Sequence, residues 1–261
     1  MQRILGLMRR AIEDYNMIED GDKIAVALSG GKDSLTLLYA LKNLQRFFSK
    51  KFELIAISIN PGFYDFNEKI LKNNCKKADV ELVIINEPIK QIVFDERKEK
   101  NPCSLCANLR RGILNSTAKK YGCNKIALGH HFDDVIETVL MGMFYGTQFQ
   151  TMMPKLHSTN FEGMELIRPL YFVKEADIIK WRDKNNLEFI NCACKITEKN
   201  KAQNIKEVGS KREEMKRLLK KLRETNEDVD MNIYNSTKKV NLDTIISYMK
   251  DGEEVSFLDN Y

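Results

Sequence analysis

Up to about Gln150, short apolar runs rich in β-branched residues alternate with longer amphipathic stretches. The runs are KIAVALS (23–29), ELIAISIN (53–60), ELVIIN (81–86) and KIALGH (125–130), and helical spacing follows at 34–48, 67–78, 104–121 and 133–145. Runs apolar along nearly their whole length predict strands covered on both faces, and the helices between them predict right-handed crossovers. The pattern is that of an α/β protein with a doubly wound parallel sheet. In such a sheet ligands bind beyond the carboxyl ends of the strands, so the segment after Leu28 is where chemistry is expected.

Past Gln150 the alternation weakens. Residues 166–168 predict one more strand and 175–186 one more helix. Beyond Ala202 the pattern is helical and basic, with Ile205, Val208, Met215, Leu219 and Leu222 on roughly one face. A last helix is expected over 235–250, capped by Asn235 or Ser236. The chain therefore divides into an N-terminal helical segment (1–22), a main α/β domain (23–194) and a basic helical C-terminal extension (195–261).

Composition narrows this picture. With 261 residues, 43% of them hydrophobic, the chain can bury one large core, or one core plus an appendage. No apolar run approaches the ~20 residues that cross a bilayer, and the first residues lack a secretory signal, so the cytoplasm is expected and no membrane partner. Six cysteines in such a compartment point to metal or sulfur chemistry rather than disulfides. The net charge is only +5, but residues 195–224 hold 11 Lys/Arg against 5 Asp/Glu, a local +6.

The stretch SGGKDS, Ser29 to Ser34, lies between the first predicted strand and helix. Its spacing is neither that of a Walker A loop nor of a dinucleotide fingerprint. Gly30 and Gly31 permit a tight turn that exposes backbone N–H groups, the helix start adds partial positive charge, and Ser29 and Ser34 carry hydroxyl donors. A phosphate cradle follows. Asp33 beside it implies Mg²⁺, unless it only caps the helix.

Cys103 and Cys106 form a C-x-x-C pair at the start of a helical pattern, where the helix end favours thiolates. Cys192 and Cys194 supply further sulfurs, so a four-cysteine zinc site and a three-cysteine iron–sulfur site are both open by count, the C-x-C spacing favouring a cluster. Cys75 and Cys123 fall in packing positions.

SGGKDS resembles the PP-loop of ATP pyrophosphatases. Taken in order, SGGKDSL, PCSLCANLRRGIL, KIALGHHFDDVIETVLMGMFYG, MMPKL and IRPL resemble the tRNA 2-thiocytidine synthetase (TtcA) family, over residues 23–194. The resemblance implies a transferase that binds ATP, adenylates a pyrimidine carbonyl (C2 of cytidine 32), releases pyrophosphate and replaces the oxygen with sulfur. It also implies a [4Fe-4S] cluster held by Cys103, Cys106 and one of Cys192 and Cys194. Where the family has P-C-x-x-C, this chain has Cys192-Ala193-Cys194, which leaves the third thiolate unassigned.

On the same footing, Ser29, Gly30, Gly31, Lys32, Asp33, Ser34, Asn60, Gly129 and His130 are expected around ATP, with Lys32, Asp33, Arg110 and Asp134 catalytic. Mg²⁺ is expected on Asp33 with Asp133 and Asp134, whereas Glu137 reads as structural. Arg110 and Arg111 follow Cys106 by about one turn, so at least one should face the cluster or the phosphates. The implied partners are tRNA, a sulfur donor (cysteine desulfurase-derived or free sulfide) and a second copy in a homodimer. Lys211, Arg212, Lys216, Arg217, Lys220 and Lys221 could follow an RNA backbone, and Tyr145, Phe149 or Trp181 could stack an extruded base. The competing readings are another PP-loop reaction, such as tRNA 2- or 4-thiouridine synthesis or sulfate activation, and a zinc-binding, non-catalytic RNA-binding module.

Overall fold

The structure is a computed structural model that describes residues 1–62, 66–96, 102–185, 187–190 and 211–260. They group into two compact units, Met1–Asp134 with Met153–Val208 and Val135–Met152 with Gly209–Tyr261.

The first unit is built on a six-stranded sheet. Its strands are β1 (Asp22–Ala27), β2 (Phe52–Asn60), β3 (Glu81–Asn86), β4 (Lys125–Ala127), β5 (Lys155–His157) and β6 (Glu165–Ile167), in the order β3-β2-β1-β4-β6-β5. All neighbours are parallel except β5, which runs antiparallel to β6. The first, second, third and fourth predicted strands are present, the fourth ending at Ala127 rather than His130, and the edge strand β5 was not anticipated. At three residues, it is too short to show an alternation.

The helices of this unit are α1 (Gln2–Asp14), α2 (Lys32–Leu44), α3 (Glu68–Ala78), α4 (Pro102–Lys120) and α6 (Glu175–Asn185), with α5 (Phe132–Tyr145) beginning in it; a short π-helical turn covers Gln91–Glu96. In α1, Ile4, Met8, Ala11 and Ile12 are buried, the spacing of one helix face. Helix α2 buries residues nearly all round, which fits a crossover laid against a central strand. A core of Ala25, Ile55, Ile57, Val83, Ala118, Cys123, Ile126 and Met164 gathers residues from the central strands and the segments around them. Cys75 and Cys123 both lie in packed positions; burial pushes the Cys75 thiol up to about 11 and raises that of Cys123.

The amino ends of β1, β4, β5 and β6 are tied by charge. Buried Lys125 lies 3.1 Å from Asp22 and 2.8 Å from Glu165, and Lys155 lies 3.0 Å from Glu165. Burial alone would raise the Glu165 carboxyl, but the two lysines outweigh it and hold it below its ordinary value of 4.5. Lys125→Ala leaves Asp22 and Glu165 without their shared cation, and is expected to cost roughly 3–5 kcal/mol in urea unfolding. The stabilisation from Glu165 is present above pH 4.5 and is lost as pH falls through its lowered value, so Lys125→Ala should also flatten the acid limb of stability against pH.

The second unit contains the rest of α5, α7 (Lys211–Thr225), α8 (Val229–Lys238) and a hairpin of β7 (Ser247–Lys250) and β8 (Glu253–Ser256). This corrects the expected helix over 235–250. Helix α8 buries Val229 and Tyr234 and stops at Lys238; Asn241 then caps a short 3₁₀ turn by accepting from Asp243 N at 3.1 Å. Asp251 and Gly252 both have positive φ, 53° and 89°, the pairing of a two-residue hairpin turn, and it reverses the chain between β7 and β8.

Candidate active site

Strand β1 leads to β2 on one side of the sheet and has β4 on the other, so the crevice between the carboxyl ends of β1 and β4 is the switch point of the topology. The loop after β1 carries SGGKDS and the loop after β4 carries Leu128 to His131. Gly30 has φ +83°, a left-handed conformation that glycine adopts without strain. Gly31 is the N-cap of α2 and no side chain caps that helix start, so the N–H groups of its first turn are left for a ligand. Asp33 does not act as the cap. The Ser34 hydroxyl donates to Gly31 O at 3.0 Å and lies 3.1 Å from Ser29 Oγ, which draws both hydroxyls to the loop.

Lys32 Nζ lies 2.8 Å from Asp33 Oδ1 and 2.8 Å from Glu175 Oε1. Burial lowers the Lys32 pKa, but hydrogen bonds and charge from Asp33 and Glu175 outweigh it and raise it above 10.5. Glu175 N donates to Asp133 Oδ2 at 2.7 Å, joining the starts of α6 and α5. His131, 3% exposed, sits among the carboxylates: Nε2 is 3.8 Å from Asp33 and 3.5 Å from Asp134, and Nδ1 is 3.8 Å from Asp133. Among the described residues no three His, Cys, Asp or Glu side chains form a ready-made metal site. Asp33 and Asp134 on one edge of His131 still match Mg²⁺, which commonly takes one or two carboxylates and completes its shell with water and phosphate.

Gly129 passes close to the start of α2: a Cβ there would lie 3.0 Å from Asp33 C and Ser34 N. Backbone, not a flexible side chain, blocks it. Gly129→Ala is therefore expected to displace the loop by a few tenths of an ångström and to weaken binding of a phosphate-bearing ligand about tenfold or more, measured by titration calorimetry with ATP as the probe. At Gly30 a Cβ would lie 2.6 Å from Ile190 Cδ1, and Ile190 N donates to Gly30 O at 2.8 Å.

His130 accepts at Nδ1 from Arg168 Nε, 3.2 Å away. Burial pushes the Arg168 guanidinium down to about 10, with Tyr171 and Asp134 raising it and Arg111 lowering it, so it is charged at neutral pH. Asn60, at the end of β2, donates to Asn86 Oδ1 at 2.9 Å and accepts from Gly62 N at 3.1 Å. Helix α4 starts at Pro102, and Cys106 lies half-buried in its first turns, outside any disulfide. The side chain of Cys103, like Cys192 and Cys194, lies outside the described residues. Arg110 Nε is buried with no hydrogen-bond partner among the described residues, whereas it is Arg111 whose charge reaches Arg168.

Sequence reasoning missed Glu175, His131 and Arg168 as site residues. For His131 and Arg168 a signal existed, in the HHFDD and IRPL stretches; for Glu175 only a helix-start carboxylate could have hinted at a partner. Trp181 packs against Tyr39, with ring centroids 5.6 Å apart and only 8% exposure, so it is a core residue rather than a base-stacking one. In the second unit, buried Glu137 lies 3.6 Å from Arg212 and 3.9 Å from Lys216, which turns part of the basic face inward. Tyr145 donates to Glu214 and carries Lys211 over its ring at 4.7 Å. Lys211, Arg217, Lys220 and Lys221 remain exposed, as does Phe149.

A doubly wound sheet with an uncapped glycine loop, a lysine and clustered carboxylates at its switch point has the features of an α/β protein with a phosphate site at a helix start. The PP-loop domain model matches residues 6–205, and the chain belongs to that family. Over 200 residues it is 46% identical to a tRNA-cytidine(32) 2-sulfurtransferase of Aliivibrio fischeri, covering 76% of this chain and 65% of the relative. A protein of the same name from Vibrio cholerae is 47% identical over 184 residues, covering 70% of this chain and 59% of the relative. The match thus spans somewhat less than two thirds of these relatives. Among solved structures, the U34-tRNA thiolase NcsA of Methanococcus maripaludis with its [4Fe-4S] cluster has a TM-score of 0.69 at 23% identity, covering 94% of this chain and 80% of that one, a likeness of fold. No described helix is long and apolar enough to cross a membrane.

Proposed function

We propose that this protein is an ATP-dependent tRNA sulfurtransferase that converts a cytidine to 2-thiocytidine, at position 32 as the names of its relatives suggest. The observation that carries the reading is the uncapped start of α2, with Lys32 held charged beside it at the switch point. A pyrimidine carbonyl does not exchange oxygen for sulfur in water, because its oxygen leaves poorly. Attack of O2 on the α-phosphorus of ATP forms an O–P bond, breaks the α–β bridge and expels pyrophosphate. Sulfide then adds to C2, and the original oxygen departs in AMP.

Each residue has a part in this. Backbone N–H groups at Gly30, Gly31 and the first turn of α2, with the hydroxyls of Ser29 and Ser34, bind phosphate oxygens. Lys32 offsets charge that develops on the leaving pyrophosphate. Asp33 and Asp134, which both lie within 4 Å of His131 Nε2, at 3.8 and 3.5 Å, would hold Mg²⁺ against the phosphates. Asn60 and Gly129 would line the nucleotide at the ends of β2 and β4, and Arg110 or Arg111 would face the substrate phosphates.

The packed, protonated thiols of Cys75 and Cys123 make poor ligands, so four cysteines remain for a metal group. Cys103 and Cys106 are three residues apart in the sequence at the start of α4, a C-x-x-C spacing near a helix start, where thiolates are favoured, that fits a cluster. Cys192 or Cys194 would provide the third thiolate. When bound, a [4Fe-4S] cluster supplies an iron with an open position for sulfide. The exposed lysines and arginine of α7 fit a tRNA backbone; the sulfur donor is free sulfide or one derived from a cysteine desulfurase, and a homodimer and a cytoplasmic setting accompany the reading.

The test is anaerobic incubation of reconstituted protein with tRNA, ATP, Mg²⁺ and sulfide, followed by nucleoside mass spectrometry. The expected result is 2-thiocytidine with equimolar AMP. A thiolated uridine would instead indicate another PP-loop reaction, and RNA binding with neither AMP nor thiolated product would overturn the enzymatic reading. One equivalent of zinc with no iron after reconstitution would exclude the cluster.

A further inference from the structure

The side chain of Arg168 is held in a buried position, at 8% exposure, directly after β6. Its Nη1 donates to Met153 O and its Nε to His130 Nδ1 at 3.2 Å. Its backbone is tied as well, Arg168 N donating to Pro154 O at 3.0 Å and Tyr171 N donating to Arg168 O at 3.0 Å. A guanidinium carries five N–H donors and no acceptor. Nδ1 of His130 must therefore present a lone pair to it. In a neutral imidazole the single N–H then lies on Nε2, and a doubly protonated ring would face the guanidinium N–H against N–H.

Location gives this chemistry a use. His130 follows Gly129, at which an added Cβ would lie 3.0 Å from the start of α2, so the residue sits in the loop after β4 that passes beside the phosphate loop. The crevice already holds the carboxylates of Asp33, Asp133, Asp134 and Glu175. With its lone pair on Nε2, His130 would add one more repulsive group toward an anionic ligand; with the N–H there, it adds a donor without adding charge.

We propose that Arg168 is a positioning residue that locks His130 in the Nε2–H tautomer, and that His130 thereby serves as a neutral hydrogen-bond donor to a phosphate oxygen of the nucleotide. The identity of that acceptor rests on the proposed adenylation reaction. The tautomer does not.

The chain has only three histidines, His130, His131 and His157, so imidazole ¹⁵N spectra of the full-length protein can be assigned with His130→Gln. The expected spectrum shows His130 with an unprotonated, hydrogen-bonded Nδ1 and a protonated Nε2. A protonated Nδ1 in the wild-type protein would overturn the proposal without any variant. Arg168→Met should release the ring into both tautomers, whereas Arg168→Lys, whose ammonium is likewise donor-only, should preserve the lock; an unchanged His130 signal in Arg168→Met would refute the positioning role.

In the adenylation assay, His130→Gln places an amide N–H near Nε2 and His130→Asn places one near Nδ1. The glutamine variant is expected to keep at least about tenfold more kcat for AMP formation than the asparagine variant, the scale of losing one oriented donor. Equal activities in the two would overturn the donor role. A locked tautomer in a protein that adenylates no tRNA would instead overturn the proposed reaction and leave the Arg168–His130 assignment standing.

Discussion

Cys106→Ala protein, purified and reconstituted without oxygen, is expected to bind no iron above background and to lose more than about 100-fold in tRNA thiolation, since even outer contacts of metal sites are worth 10–100-fold. Cys103→Ala should behave alike. Cys106 is a half-buried residue near the start of α4, so its truncation should change unfolding free energy by less than about 1 kcal/mol. Cys75→Ala is the informative contrast. That thiol is 2% exposed and pushed up to about 11, so it is protonated at pH 7 and belongs to the core. Its loss should lower stability and leave iron and thiolation in place. Metal analysis, nucleoside mass spectrometry and urea melts of the three variants separate ligand from packing residue, and full thiolation by Cys106→Ala would remove it from the cluster.

Lys32→Met is expected to lower the rate of pyrophosphate release by about 10²–10³-fold, the range for removing one preorganised donor at a site of developing charge. The effect has two sources in the geometry. The cation that meets the phosphates is gone, and Asp33 and Glu175, each 2.8 Å from Nζ in the wild-type protein, lose the ammonium that neutralises them. Their charge then opposes ATP, so KM for ATP should rise together with the fall in kcat. Because Asp33 and Glu175 together outweigh burial and hold the ammonium above 10.5, no decline in activity between pH 7 and pH 10 should arise from Lys32. The contribution of this cation to folding has the same sign: present below 10.5, lost as pH rises through the raised value. A Lys32→Met rate within a few-fold of wild type would mean that the loop binds phosphate by its backbone alone.

The sheet and the loop were legible in the chain because they depend on local rules. Buried parallel strands need continuous apolar runs, and a phosphate loop needs glycines before a helix start, so 23–29 and SGGKDS announced themselves. The hairpin at the C-terminus was also written locally, in Asp251-Gly252, but the helical spacing of 235–250 competed with it. The outcome was set by α8 burying Val229 and Tyr234 and ending at Lys238, beyond which the apolar side chains Val240, Leu242, Ile246 and Met249 stay exposed and leave no face to extend the helix.

The sequence by itself determined the α/β class and the place of the glycine loop, since each follows from residue type and spacing within one segment. Only the tertiary structure decided which side chains meet. Glu175 reaches Lys32 across 143 positions, and Arg168 reaches His130 across 38, because β1, β4 and β6 lie side by side and bring their carboxyl ends to one crevice. No local pattern encodes such distances. The strand order does, by deciding which loops share an edge, and with it which charge is neutralised and which ring nitrogen holds its proton.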